Sequence, residues 1–273
     1  MTLVLVATPI GNLEDLSPRA VRTLAEADVV VCEDTRRTGR LLQAAGVTAR
    51  KLLAVHEHNE RARVGTVLDH LRAGETVAVV SDAGMPGISD PGELLVRAAV
   101  EAGFEVQVVP GPTAAIAGLV ASGFSTGRFV FEGFLPRSGS GRSERLDALV
   151  SERRTMVLYE APHRLVRTLT DLRGALGADR VVALARELTK LHEETWRGTL
   201  GEAIERAQEF EPRGEYVVVV EGGTAPEPAT DAELAAALAR LRADGLSTRD
   251  AVAEVVATYD VPKRRVYALA TDD

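Results

Sequence analysis

The feature that most constrains this chain is an alternation running through its first half. Short apolar runs rich in valine, at 3–7, 29–32, 51–55, 77–80 and 106–109, are separated by amphipathic stretches. Runs that are apolar on both faces belong to strands covered on both sides, as in a parallel sheet. Ser17 and Pro18 read as an N-cap and first helical residue, leading into a helix over 20–27. Further helices are predicted over 35–45, 60–73 and 92–102, each closed by Gly46, Gly74 or Gly103. A glycine just past the last turn is the expected stop signal. Five strands alternating with helices predict a mostly parallel α/β domain over 1–111. In such sheets ligands bind beyond the carboxyl ends of the strands.

The rhythm then changes. A helix over 112–121, a strand over 128–131, a Gly/Ser/Arg loop over 136–143 and a helix over 145–152 are expected. A strand over 155–159 and a helix over 164–176 follow. Strands over 180–187, 194–200 and 215–221 have only the helix 201–210 among them, so antiparallel pairing and a mixed sheet are predicted. The second domain is thus α+β, over 112–222. The Gly/Pro/Thr-containing stretch 222–229 reads as a linker, and 231–273 as a small helical, helix-turn-helix-like unit. The expected fold class is α/β with these two appended parts.

Composition removes several classes. No apolar run approaches the ~20 residues of a membrane helix, and the opening run lacks the basic flank of a signal peptide. Cys32 is the only cysteine, which excludes a disulfide framework or a Cys-based zinc cluster. A cytoplasmic protein is expected. Net charge is −8, against a generally basic nucleic-acid binder but not against a local basic surface. Only Lys51, Lys190 and Lys263 among the 32 cationic side chains are lysines; the rest are arginine, the better phosphate fork. Aromatic residues at 4% argue against a large stacking platform. His56 and His58 share a face if extended, but no third ligand stands at metal spacing, so no metal is expected.

Three loops carry chemistry. Ala7–Leu13 follows the first strand and is not a G-x-G-x-x-G fingerprint. Ser81-Asp82-Ala83-Gly84-Met85-Pro86-Gly87-Ile88-Ser89-Asp90-Pro91 follows the fourth. Glycine there lets backbone approach a ligand while proline fixes the loop, and Asp90 is expected to cap the next helix. Val109–Ala115, with Gly111, Pro112 and Thr113, follows the fifth strand. Three such loops at three strand ends predict one shared pocket.

These segments, with Cys32-Glu33-Asp34-Thr35-Arg36, Glu132-Gly133-Phe134-Leu135-Pro136 and Tyr159-Glu160-Ala161-Pro162-His163-Arg164, resemble the ribosomal small-subunit methyltransferase I family of the tetrapyrrole-methylase superfamily. The resemblance runs from Leu3 to about Glu221, with a further match in the tail. It implies methyl transfer from S-adenosyl-L-methionine to the ribose 2′-oxygen of a cytidine in the decoding region of 16S ribosomal RNA, and a homodimer. The cofactor is then expected between the two α/β domains, against Pro9, Asp82, Gly84, Met85, Pro86, Ile88, Thr113 and Ala114. Leu135 and the neighbourhood of Tyr159 are expected from the second domain. Many corrin and porphyrin methylases carry Gly-Asp-Pro in the second loop and a Gly-rich first loop. Here Gly84-Met85-Pro86 stands instead, which argues against the alternative, a tetrapyrrole C-methyltransferase.

A ribose hydroxyl is a weak nucleophile, so a proton acceptor helps. Glu33, Asp34, Glu160 and His163 are the candidates, and the sequence does not choose among them; Glu33 or Asp34 can equally pair with Arg36 or Arg37. Asn12 is a candidate to orient the hydroxyl, and Arg36 and Arg164 to hold phosphate. Arg186, Glu187 and Lys190 are candidates to face the cleft. The basic 137–145 loop, with Arg137 and Arg142, is expected to meet RNA. In the tail, Ser247 or Thr248 caps a helix running to Tyr259, a turn at 260–261 follows, and Lys263, Arg264 and Arg265 fill the first turn of the next helix. Cations there oppose the helix dipole, which points to a phosphate partner. A third reading, a DNA-binding sensor using the same tail, fits poorly with the acidic balance.

Overall fold

A computed structural model describes residues 1–223, 229–259 and 261–271. The chain forms two compact units, Met1–Gly222 and Gly223–Asp273. The linker reading at 222–229 falls largely on 224–228, and the 260–261 turn on 260; these lie outside the described residues.

The first unit opens with β1 (Thr2–Val6), α1 (Pro18–Glu26), β2 (Val29–Cys32), α2 (Thr35–Ala44), β3 (Leu52–Ala54), α3 (Glu60–Arg72), β4 (Val77–Val79), α4 (Glu93–Glu101) and β5 (Glu105–Val109). The five strands are parallel, in the order β3-β2-β4-β1-β5. Side chains alternate across the sheet. Val4, Val6, Val30 and Ala78 pack against Leu24 of α1 and Leu42 of α2. Leu3, Val29, Val31 and Val77 pack against Leu71 of α3 and Leu95 of α4. Apolar residues therefore fill β2, β3 and β4 and all of β1 after Thr2, the pattern the sequence carries, while the edge strand β5 also bears Glu105 and Gln107.

The same unit continues with α5 (Ala114–Ser122), β6 (Phe129–Phe134), α6 (Ser140–Val150), β7 (Thr155–Glu160), α7 (Leu165–Leu176), β8 (Val181–Arg186), β9 (Glu194–Thr199), α8 (Leu200–Glu209) and β10 (Tyr216–Val220). The second sheet has the order β6-β7-β10-β8-β9. It is mixed: β6 pairs with β7 in parallel, and the other neighbours are antiparallel. Leu119 of α5 covers one face with Val157, Ala183 and Val217. Leu149, Leu169 and Ile204 of α6, α7 and α8 cover the other.

Three sequence expectations are corrected. The stretch read as a loop over 136–143 is helical from Ser140, because Gly139 turns the chain at φ 82° and its Gly/Ser content hides the helix start. The strand over 128–131 runs on to Phe134 past an irregularity between Phe131 and Gly133. Asp90 does not cap α4. The Glu60 carboxylate does, accepting from the N–H groups of Gly92 at 2.8 Å, Leu94 at 3.1 Å and Leu95 at 3.4 Å.

The second unit holds α9 (Asp231–Ala243), α10 (Thr248–Tyr259) and α11 (Lys263–Thr271). Leu234, Leu238, Val252, Val255 and Val266 form its core. Ser247 is the α10 cap, its hydroxyl accepting from the Asp250 N–H at 3.2 Å. Among the described residues, no helix is long and apolar enough to cross a membrane.

Candidate active site

The loops leaving β1, β4 and β5 converge as the parallel topology requires. Thr8 and Gly84 bridge the first two with reciprocal backbone bonds of 2.9 and 3.1 Å, and the Thr8 hydroxyl donates to the Ser81 carbonyl at 3.1 Å. Gly84 sits at φ 83°, where a Cβ would stand 3.2 Å from Ile10; only glycine takes that backbone without strain. The third loop is tied to the second sheet. The Ala115 N–H donates to the Tyr159 phenol oxygen at 3.0 Å, and the rings of Phe131 and Phe134 lie against Tyr159 at 5.0 and 5.6 Å.

Between the sheets lies a cleft of about 470 Å³. Of the expected cofactor contacts, Asp82, Gly84, Met85, Ile88, Thr113, Ala114 and Tyr159 line it. Pro9 and Pro86 do not. Nor does Leu135, whose side chain is 1% exposed in the core under α6 and α7; its carbonyl accepts from Arg164 at 2.6 Å.

The candidates for proton transfer separate. Glu33, Glu160 and His163 line the cleft. Glu160 is 2% exposed and fully engaged. It accepts from its own following N–H at 2.9 Å and from the Thr168 hydroxyl at 2.5 Å, and it pairs with Arg164 at 3.2 Å. Asp34 caps α2, accepting from Arg36 N–H at 2.8 Å and Arg37 N–H at 3.4 Å, and those bonds hold its carboxyl below the ordinary value. Asn12 is exposed and caps the short turn Leu13–Asp15. Arg36 is exposed and does not line the cleft.

Asp90 is the acid that sequence reasoning placed elsewhere. Freed from capping, it lines the cleft. Burial first, then the charges of Glu33 and Asp82, push its carboxyl up to about 7. Burial and Asp82 also raise Glu33. Two carboxyls with raised values in one cleft mark a functional site on physical grounds. Ser89 and Glu187 line the same cleft, and both lie in the left-handed region, at φ 61° and 51°. Non-glycine residues held there are a recurrent feature of working sites.

The expected RNA contacts also divide. Arg137, Lys263 and Arg264 are exposed. Arg142 is 4% exposed, and its guanidinium is spent on Asp171 at 2.7 Å, the Pro136 carbonyl at 2.8 Å and Thr168 at 3.0 Å. It braces α6 on α7 and is not available to RNA. Arg265 bonds Asp231 at 2.8 Å and the Ala229 carbonyl at 2.7 Å. Cys32 is buried, and burial pushes its thiol up. Among the described residues, no cluster of three or more His, Cys, Asp or Glu is placed to hold a metal.

The model of the tetrapyrrole (corrin/porphyrin) methylases matches residues 2–204. The ribosomal RNA small subunit methyltransferase I of a Synechocystis strain is 48% identical over 272 residues, covering 99% of this chain and 97% of the relative. That of Escherichia coli O157:H7 is 44% identical, covering 99% and 94%. This chain belongs to the ribosomal RNA small subunit methyltransferase I family. Members of that family are methyltransferases within the tetrapyrrole-methylase superfamily. The fold has solved counterparts. A uroporphyrin-III C-methyltransferase from Thermus thermophilus, complexed with S-adenosylhomocysteine, superposes with TM-score 0.59 at 22% identity, covering 81% of this chain and 96% of that one.

Proposed function

We propose that this family member transfers a methyl group from S-adenosylmethionine to the ribose 2′-oxygen of a cytidine in the decoding region of 16S ribosomal RNA, within the small ribosomal subunit. Near-full-length identity of 48% to a small-subunit rRNA methyltransferase carries the reading. The cleft supports it. Its volume suits a ligand of nucleoside size, and the donor set matches a cationic one. Asp82, Asp90 and Glu33 offer negative charge, while Ile88, Met85 and Tyr159 offer apolar surface.

When bound, the cofactor supplies an electrophilic methyl group on a sulfonium. The chain's own work is alignment and proton management. Gly84 and Thr113 bring backbone to the cleft wall, and Tyr159 fixes the third loop through the Ala115 N–H. With Asp34 and Glu160 committed to structure, Glu33, Asp90 and His163 remain as proton acceptors for the hydroxyl. Asp90, its carboxyl pushed up to about 7, can take a proton at working pH.

A homodimer belongs to the same reading. Ile116 and Val120 are 46% and 65% exposed one turn apart on α5, an apolar face suited to a second copy. The test is transfer of labelled methyl to unmodified small subunits, naked 16S RNA and a uroporphyrinogen or precorrin mixture. Label in 2′-O-methylcytidine supports the reading; label confined to the tetrapyrrole sinks it.

A further inference from the structure

An RNA acceptor meets an acidic cleft. The carboxylates of Glu33, Asp82, Asp90, Glu187 and Glu215 outnumber the cations Arg37 and Lys190 along its walls. A phosphodiester entering there needs a local positive charge, or like-charge repulsion keeps it out. Arg37 is paired at 3.2 Å with Asp82, an expected cofactor contact whose side chain is only 18% exposed.

Lys190 stands differently. It comes from the second sheet, in the connection between β8 and β9. Its Nζ bonds Glu187 Oε1 at 2.9 Å and Glu215 Oε2 at 3.2 Å. Its side chain is 30% exposed and that of Glu215 is 79% exposed, so the pair lies on the rim, where a large substrate first arrives. Burial works against the ammonium, but the bonds and charges of Glu187 and Glu215 outweigh it and keep the pKa above the ordinary lysine value. The group is a cation and not a base.

The segment around it is held at a cost. Glu187 and Thr189 have φ of 51° and 66°, and the buried Thr189 hydroxyl has no hydrogen-bond partner. The Lys190 stem lies across Gly11 of the first loop, where any Cβ would collide with it. Backbone strain and an unsatisfied hydroxyl persist only where the surroundings demand them. Here they lay the Lys190 stem over the β1 loop and hold its ammonium between Glu187 and Glu215.

We infer that Lys190 binds a phosphate of the RNA beside the target ribose, its ammonium exchanging the exposed Glu215 carboxylate for the phosphodiester at the rim of the cleft. This rests on the proposed RNA acceptor. The rim position favours phosphate over the cofactor, whose expected contacts, Asp82, Gly84, Thr113 and Tyr159, lie on the loops leaving β4 and β5 and on β7.

The experiment measures binding of naked 16S RNA across a salt series, with S-adenosylhomocysteine affinity measured in parallel. Lys190→Gln is expected to weaken RNA binding about tenfold and to lower the salt slope by about one, with S-adenosylhomocysteine affinity unchanged. Lys190→Arg restores most of the loss. Glu215→Gln, an exposed change that leaves Lys190 in place, tightens RNA binding because phosphate no longer competes with a carboxylate. Equal RNA affinity and slope in wild type and Lys190→Gln overturns the inference, as does a parallel loss of S-adenosylhomocysteine binding. If Lys190→Gln does not fold, an unchanged RNA affinity in Glu215→Gln overturns it alone. Absence of RNA methylation by the wild type is a separate result, and counts against the proposed function.

Discussion

The Glu60 carboxylate accepts a hydrogen bond from the Gly92 backbone N–H at 2.8 Å, across 32 residues of sequence. The same oxygen takes the Leu94 and Leu95 N–H groups. One acid at the start of α3 thereby closes the amino end of α4, and with it the far end of the second loop. Because Glu60 does this, Asp90 is free to face the cleft.

Glu60→Ala leaves three helix-terminal N–H groups without their partner in a buried setting. Charge-assisted bonds of this kind contribute about 2–3 kcal/mol. A urea midpoint lowered accordingly is expected, together with weaker cofactor binding, because the 82–90 loop loses its anchor. Glu60→Gln keeps an acceptor oxygen and loses less. Cofactor affinity unaltered in Glu60→Ala would show that the loop holds its shape without the cap.

Asp90 gives the site a pH dependence whose sign is fixed. Its folded-state carboxyl titrates at about 7, above the free value of about 4. Glu33, Asp82 and Glu215 face it as like charges, with Ser81 as a hydrogen-bond partner. A cationic cofactor favours the ionised form, so its affinity rises from pH 6 to pH 8 and binding at pH 7 releases a proton. Stability runs the other way. The folded state holds a proton that the unfolded chain has lost, so this group costs the cofactor-free protein stability as pH rises from about 4 through 7. Asp90→Asn flattens the binding profile, weakens binding, and leaves the cofactor-free protein more stable than wild type at pH 8. Calorimetric titration and thermal melts across pH check both signs; a flat wild-type profile would dismiss Asp90 from the site.

The strands of the first sheet, though not their order, follow from features visible in the chain. Valine-rich runs and closing glycines locate β1 to β5, and the loops at their carboxyl ends locate the cleft. The side chains that complete the cleft were less legible. Asp90 reads as a cap because it precedes Pro91 and Gly92, and nothing local announces that Glu60 has taken that task. Arg142 reads as an RNA contact because its neighbours are glycine and serine; only the packing of α6 on α7 shows Asp171 and Thr168 beneath it. Asp34 and Glu160 have the residue type of a base, but their hydrogen bonds make them structural. Capping and burial depend on partners distant in sequence, and a single chain read locally does not display them.

Arg142 is therefore expected to behave as a core residue. Arg142→Ala removes the nearer cation from Asp171, leaves the Pro136 carbonyl without its donor and takes one of two bonds from the Thr168 hydroxyl, which keeps Glu160. Breaking a buried pair costs about 3–5 kcal/mol, and the 31% exposure of Asp171 places this one near about 3. Denaturant unfolding measures that loss. Below its own melting range the variant binds RNA as wild type does, whereas Arg137→Ala, at an exposed position, weakens RNA binding without a stability change. A normal melt with lost RNA affinity in Arg142→Ala would return this residue to the interface.

Tyr159 separates hydrogen bonding from packing in the third loop. Phe131 and Phe134 hold the ring from two sides, so Tyr159→Phe keeps the ring in place and loses only the acceptor for the Ala115 N–H. A stability loss of about 1 kcal/mol is expected. Affinity for S-adenosylhomocysteine falls a few-fold, because Thr113 and Ala114 lose the bond that fixes α5's first turn. Tyr159→Ala also removes the aromatic wall of the cleft, and its loss of affinity is greater by the apolar area no longer buried. If Tyr159→Phe binds as wild type and only Tyr159→Ala fails, the ring alone shapes the site and the bond to Ala115 serves the fold.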